Sequence, residues 1–216
     1  MTKVVLIRHG RSSANADGVL AGRSEGVGLD DVGRRQCEGL RDLLRGVPVV
    51  GAYTSPLQRC RETAALAGFP DAEVVETLTE CDYGAWTGRL LKELAAEPAW
   101  KDIQARPSTV TFPAGESMAG MADRAASAVG ELAARHAEGV VLVFSHGDPI
   151  KAILAHALAL PLDEFQRLNV SPAGVSVVEW GERPMVLAVN AGADVSGLLG
   201  VAVAPTVGGG DVAGVG

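Results

Sequence analysis

Two histidines stand in this chain where an apolar run ends: His9 in Arg8-His9-Gly10-Arg11, and His146 in Ser145-His146-Gly147-Asp148. In an open α/β sheet ligands bind in the crevice beyond the carboxyl ends of the strands. Two histidines delivered to that edge by separate strands can therefore meet over one substrate. Arg8 beside the first adds a permanent, planar cation, which makes an anion the expected guest.

The helix starts add to that edge. Ser55-Pro56-Leu57-Gln58 reads as an N-cap serine, a proline at the first helical position and a glutamine two further on, the pattern of a capping box. Arg59 then falls in the first turn, near the carboxyl end of the preceding strand, where its guanidinium can point into the same crevice as His9. Asp148-Pro149 reads as a cap and first helical residue, opening a helix over residues 149–160 directly after His146. The N–H groups and positive dipole end of that helix also favour an anion.

The elements that must position these residues alternate along the chain. Residues 4–8 and 140–145 are continuous apolar, largely β-branched runs, as expected of strands covered on both faces. Residues 52–55, 74–76, 175–180 and 184–189 are shorter strand candidates. Apolar residues recur at helical spacing over residues 31–45 (Val32, Leu40, Leu43, Leu44) and 117–137 (Met118, Met121, Ala125, Val129, Leu132). This order predicts an α/β fold: a three-layer α/β/α arrangement around a mostly parallel central sheet of about six strands.

Composition sets the frame. With 216 residues, 47% of them apolar, the chain has enough material for one sizeable core. One domain is expected over residues 1–190. Residues 191–216 are rich in Gly, Ala and Val, contain no Lys or Arg, follow no steady period, and read as a mobile tail. The net charge of -7 and the lack of a basic stripe argue against nucleic acid as a partner. Cys37, Cys60 and Cys81 form an odd set without metal-ligand spacing, which indicates neither a disulfide framework nor a zinc site and suits a reducing cytosol. The first apolar run is too short for a signal peptide, and no stretch approaches the roughly 20 apolar residues that span a bilayer. A cytoplasmic protein without a membrane partner is expected.

Together these motifs resemble the histidine phosphatase superfamily, which includes the cofactor-dependent phosphoglycerate mutases and many small phosphatases. Arg8-His9-Gly10, with Ser12 and Asn15 following, is similar to the family's signature. Ser55-Pro56-Leu57-Gln58-Arg59 with Thr63-Ala64 resembles its second motif, Leu78-Thr79-Glu80 before Tyr83-Gly84 and Trp86 its acid-bearing loop, and Ser145-His146-Gly147 its last motif. The four occur in family order across most of residues 1–189. The resemblance implies that His9 takes the phosphoryl group as a covalent phosphohistidine. It implies that Arg8, Arg59 and His146 clamp the phosphoryl oxygens. Glu80 would protonate the leaving group and then activate water, with a raised pKa. Neither metal nor cofactor is implied. Gly10, Arg11, Ser12, Asn15, Gly22, Arg23 and Gly147 are the residues expected to contact the phosphate or the rest of the substrate.

Departures from the family pattern bear on the substrate. Arg11 stands where many members carry Glu or Gln, and it either adds to the anion pocket or reaches outward to a second acidic group of the substrate. The paired arginines with which phosphoglycerate mutases hold a bisphosphate are not found between residues 84 and 112, which favours hydrolysis over mutase activity. Residues 112–117 resemble the Pro-Gly-Gly-Glu-Ser stretch of the family's small-molecule phosphatases, and with residues 22–28 they are the candidate mobile wall around the leaving group. The expected activity is a phosphatase acting on small phosphorylated metabolites. A phosphomutase, a protein phosphohistidine phosphatase and a non-catalytic phosphate-binding module are the alternatives. A homodimer through a sheet edge or a helix face is a further expectation. Asp148 reads as a cap, and His136 and His156 as solvated or capping residues.

Overall fold

Along the first strand, β1 (Thr2–Arg8), successive side chains face opposite ways, and both sides are apolar. Val4 and Leu6 pack into one core cluster and Val5 and Ile7 into another. A strand buried on both faces needs helices on both, and the computed structural model supplies them. It describes residues 1–136 and 138–192; the tail expected beyond them lies outside the described residues, apart from Ala191 and Gly192.

The remaining elements follow in chain order: α1 (Ser13–Ala16), α2 (Asp31–Leu43), β2 (Val49–Thr54), α3 (Gln58–Leu66), β3 (Glu73–Val74), α4 (Leu91–Leu94), α5 (Pro98–Ala105), α6 (Met118–Ala134), β4 (Gly139–Ser145), α7 (Gly147–Ala157), β5 (Val175–Trp180) and β6 (Met185–Ala191). The sheet order is β3-β2-β4-β1-β5-β6. β3, β2, β4 and β1 pair in parallel, whereas β5 runs antiparallel to both of its neighbours. The expected three-layer arrangement around a six-stranded, mostly parallel sheet is what the chain forms.

Val4, Leu6, Val141 and Val143 meet Val129 and Leu132 of α6 and Ile150, Ile153 and Leu154 of α7 on one face. Val5, Ile7, Leu142 and Phe144 meet Cys37 and Leu40 of α2 and Ala64 of α3 on the other. Each such aliphatic side chain contributes about 1.5–3 kcal/mol by burial. A third cluster, containing Tyr83, Trp86, Leu91, Ile103, Phe112, Met118 and Phe165, packs the irregular stretch between β3 and α6.

Three local expectations are corrected. The capping box at Ser55 does not form: α3 starts at Gln58, with Leu57 as its N-cap. The Ser55 N–H is taken by Phe144 O at 2.9 Å, extending the sheet, and the Gln58 amide turns to Glu62 Oε1 at 2.7 Å. Asp148 is not a cap either, because α7 begins at Gly147 with His146 in the N-cap position. Finally, Ala191 belongs to β6, paired with Val175, so the last strand runs past the expected tail boundary.

Candidate active site

The register of the two central strands brings the histidines together. Arg8 at the end of β1 pairs with Ser145 at the end of β4, so His9 and His146 leave adjacent strands at the same level. Their rings stand 5.2 Å apart, edge to face, and both are buried.

Hydrogen bonds set the state of His9. Nδ1 lies 2.7 Å from Gly10 O, and a carbonyl only accepts, so Nδ1 carries the proton and Nε2 keeps its lone pair. Burial lowers the His9 pKa well below the usual 6.5, and the guanidinium groups of Arg59 and Arg8 lower it further. The imidazole is therefore neutral at physiological pH. His146 is likewise held neutral by burial, then by Arg59, His9 and Arg8.

Arg59, in the first turn of α3 as expected, reaches His9 Nε2 through Nε at 3.3 Å and donates from Nη2 to Gly22 O at 2.7 Å. Gly22 offers that carbonyl from a backbone with φ +50°, a conformation that suits glycine. Arg59 Nη1 is buried and has no hydrogen-bond partner among the described residues. Arg8 is fixed through Nη1 to Val170 O at 2.6 Å.

A small cavity beside them is lined by His9, Ser12, Asn15, Gly22, Arg59, Glu80 and Tyr83, with Val19, Leu20, Ala21 and Leu91 as its apolar wall; Arg8 and His146 are buried next to His9 but do not themselves line it. Ser12 caps α1, and Asn15 Oδ1 accepts from Ser12 N at 3.0 Å and from Ser12 Oγ at 2.9 Å. The group left on Asn15 is its NH₂, a donor suited to an anion. Glu80 Oε1 accepts from Cys81 N at 2.8 Å. Burial and then the nearby Asp148 carboxylate push the Glu80 pKa up to about 7, so it can hold a proton or release it near neutrality.

Several expected contacts are placed elsewhere. Arg11 does not line the cavity and pairs with Asp30 Oδ2 at 2.6 Å, which matches neither of its two readings: the acid it meets is the protein's own cap of α2, not a group of the substrate. Arg23 is drawn to Glu116 Oε1 at 2.8 Å and lines a broader groove next to the cavity. The Gly10 N–H is occupied by Thr63 Oγ1 at 3.1 Å. Glycine is required there by packing, since a Cβ would sit 2.6 Å from Cys37 Sγ and 2.7 Å from Gly33 O. Gly147 is buried as the first residue of α7, behind the cavity rather than along its wall. His136 bonds to the Tyr53 hydroxyl and His156 stacks on Trp180, both away from the site.

The sequence reading missed three features. Ser55 Oγ sits 2.7 Å from His146 Nε2 and steadies that ring. Asp148 accepts from the Tyr83 hydroxyl at 2.8 Å and lies 3.8 Å from the buried Lys151 ammonium, forming a charged layer beneath the cavity. Arg124, half-hidden on α6, bonds to the backbone of the Glu80 segment. Being the one arginine in α6 was all that marked it in the sequence. No group of three or more His, Cys, Asp or Glu side chains among the described residues is arranged to hold a metal ion. No helix among them is long and apolar enough to cross a membrane.

The model of the histidine phosphatase superfamily (branch 1) matches residues 4–191. The chain belongs to this superfamily. Phosphoserine phosphatase 1 of Hydrogenobacter thermophilus is 31% identical over 196 residues, covering 87% of this chain and 90% of that protein. The acid phosphatase of Mycobacterium tuberculosis is 34% identical over 180 residues, covering 81% and 85%. Among solved structures, the mycobacterial glucosyl-3-phosphoglycerate phosphatase in complex with VO3 superposes with a TM-score of 0.79 at 25% identity, covering 88% of this chain and 98% of that one. The histidine phosphatase match runs through all four motifs and stops at the end of β6.

Proposed function

We propose that the protein is a phosphomonoesterase that hydrolyses small phosphorylated metabolites through a phosphohistidine on Nε2 of His9, with no metal ion. The observation that carries this reading is the fixed tautomer of His9. Its Nε2 lone pair stands beside Arg59, whose Nη1 lacks a partner until a phosphoryl oxygen arrives. The Arg8 and Arg59 charges suit a dianionic phosphoryl group, and Glu80, with its pKa pushed up to about 7, can hold a proton beside it.

In the first step the Nε2 lone pair forms a bond to phosphorus while the bond to the ester oxygen breaks. Glu80 gives its proton to the departing oxygen, and the alcohol leaves. In the second, water attacks phosphorus, the Glu80 carboxylate takes its proton, and the N–P bond breaks to return the electron pair to His9. Arg8, Arg59 and His146 hold the three equatorial oxygens through both steps. The relatives' names support a phosphomonoester as substrate: phosphoserine in one, a glucosylated phosphoglycerate in another.

The test is phosphate release in the presence of a chelator from p-nitrophenyl phosphate, phosphoserine, 3-phosphoglycerate and sugar phosphates, with His9→Ala alongside. Release abolished by the substitution supports the reading. Phosphate migration between positions of a bound ester without release would replace it with a phosphomutase.

A further inference from the structure

The segment carrying Glu80 lies between the short turns Glu76–Leu78 and Gly84–Trp86, outside any strand. Four successive carbonyls, from Thr77 within the first turn to Glu80, are nonetheless held, all by side chains. Arg124 Nη1 donates to Thr77 O at 2.9 Å and to Thr79 O at 2.8 Å, and Ser145 Oγ donates to Leu78 O at 2.8 Å. Glu80 O receives both Arg124 Nη2 and Arg23 Nε, each at 2.9 Å.

Arg124 is itself aimed. Its Nε donates to Glu116 Oε2 at 3.0 Å and its Nη2 to Glu116 Oε1 at 2.6 Å. With three carbonyl bonds and two carboxylate bonds, all five N–H donors of the guanidinium are used. Glu116 Oε1 also accepts from Arg23 Nη2 and from Asp82 N, each at 2.8 Å. Despite burial that pushes it up, the Glu116 carboxyl stays below the usual range because Arg124, the Asp82 N–H and Arg23 favour its charged form. The clamp therefore keeps its charge at neutral pH. Its base is α6, which packs on the sheet that carries both histidines.

We propose that Arg124 is a positioning residue for Glu80: oriented by Glu116, its planar fork fixes the backbone on either side of the acid relative to His9. This rests on the assignment of Glu80 as general acid. A lysine cannot replace it, because one ammonium cannot span three carbonyls and a carboxylate in that plane.

The experiment measures kcat/KM, which ends at phosphoryl transfer to His9, for two substrates. p-Nitrophenoxide departs without needing a proton, whereas the alkoxide of phosphoserine needs one. Arg124→Met is expected to lose roughly 10- to 100-fold on phosphoserine but less than about threefold on p-nitrophenyl phosphate, since misplacing a catalytic group by about 1 Å costs on that order. Arg124→Lys should show the same inequality at reduced size, and it decides the matter if circular dichroism shows Arg124→Met unfolded. Equal losses on both substrates in the folded Arg124 variants, with unequal losses in Glu80→Gln, overturn the positioning role and leave the acid assignment standing. Equal losses in Glu80→Gln overturn the acid assignment and this inference with it.

Discussion

The two sides of the cavity are built by different means. His9 and His146 are placed by a backbone ladder, seven consecutive pairings from Thr2↔Gly139 to Arg8↔Ser145. Glu80, which lines the cavity together with His9, sits on a segment outside any strand and is placed by guanidinium and hydroxyl groups from α6, β4 and the loop after α1. The histidines' position is thus a property of the sheet as a whole, whereas that of Glu80 depends on a few replaceable side chains. With Glu80 as the acid proposed above, substitution on that side is expected to alter substrate preference before it alters the fold.

If this division holds, changes on the histidine side should reduce turnover of every ester alike, and changes on the acid side should discriminate between leaving groups. The largest effect is expected for His9→Ala, with no turnover and no acid-labile phosphoenzyme on rapid quenching. Glu80→Gln should follow, losing roughly 10²–10⁴-fold in kcat/KM on alkyl phosphates and far less on p-nitrophenyl phosphate. Arg59→Ala should lose about 10²–10³-fold on both, by analogy with a lost oxyanion donor. A loss confined to alkyl esters would move Arg59 to the acid side.

The pH profile separates the two sides as well. In the proposed mechanism Glu80 is protonated in the first step, and its pKa is raised, so kcat/KM for an alkyl phosphate should fall as pH rises through about 7. His9 would act unprotonated, and its pKa is lowered, so no acid limb from the enzyme should appear until well below 6.5, apart from protonation of the phosphate dianion itself at about 6. Glu80→Gln should remove the alkaline limb alone. The smallest change is expected from Ser55→Ala, which removes the hydroxyl from His146 Nε2 and leaves it with Cys60 Sγ at 3.4 Å: up to about tenfold on all substrates, the worth of one hydrogen bond.

The same division explains what was legible in the sequence. The apolar runs before His9 and His146 announce buried strands, and a strand delivers the residue after it to a known edge, so the histidine pair was readable from residue types alone. Arg59 was readable because it opens a helix after a strand, even though the supposed Ser55 cap spends its hydroxyl on His146. Glu80 was legible only through family resemblance, since no periodicity marks a segment whose partners are side chains 44 to 67 residues away. Arg11 misled for a related reason. A cation beside the signature looks like an anion ligand until the cap of α2 is known to be within its reach.

β1 occupies the middle of the sheet, between β4 and β5. Neither neighbour exists when a ribosome first extrudes it, because residues 139–145 and 175–180 have yet to be joined. At typical translation speeds that interval is on the order of ten seconds, during which a strand with Val4, Val5, Leu6 and Ile7 at its centre has no edge to meet. His9 therefore follows a strand whose two neighbours are both made late, so the histidine pair is assembled only once most of the chain has been joined.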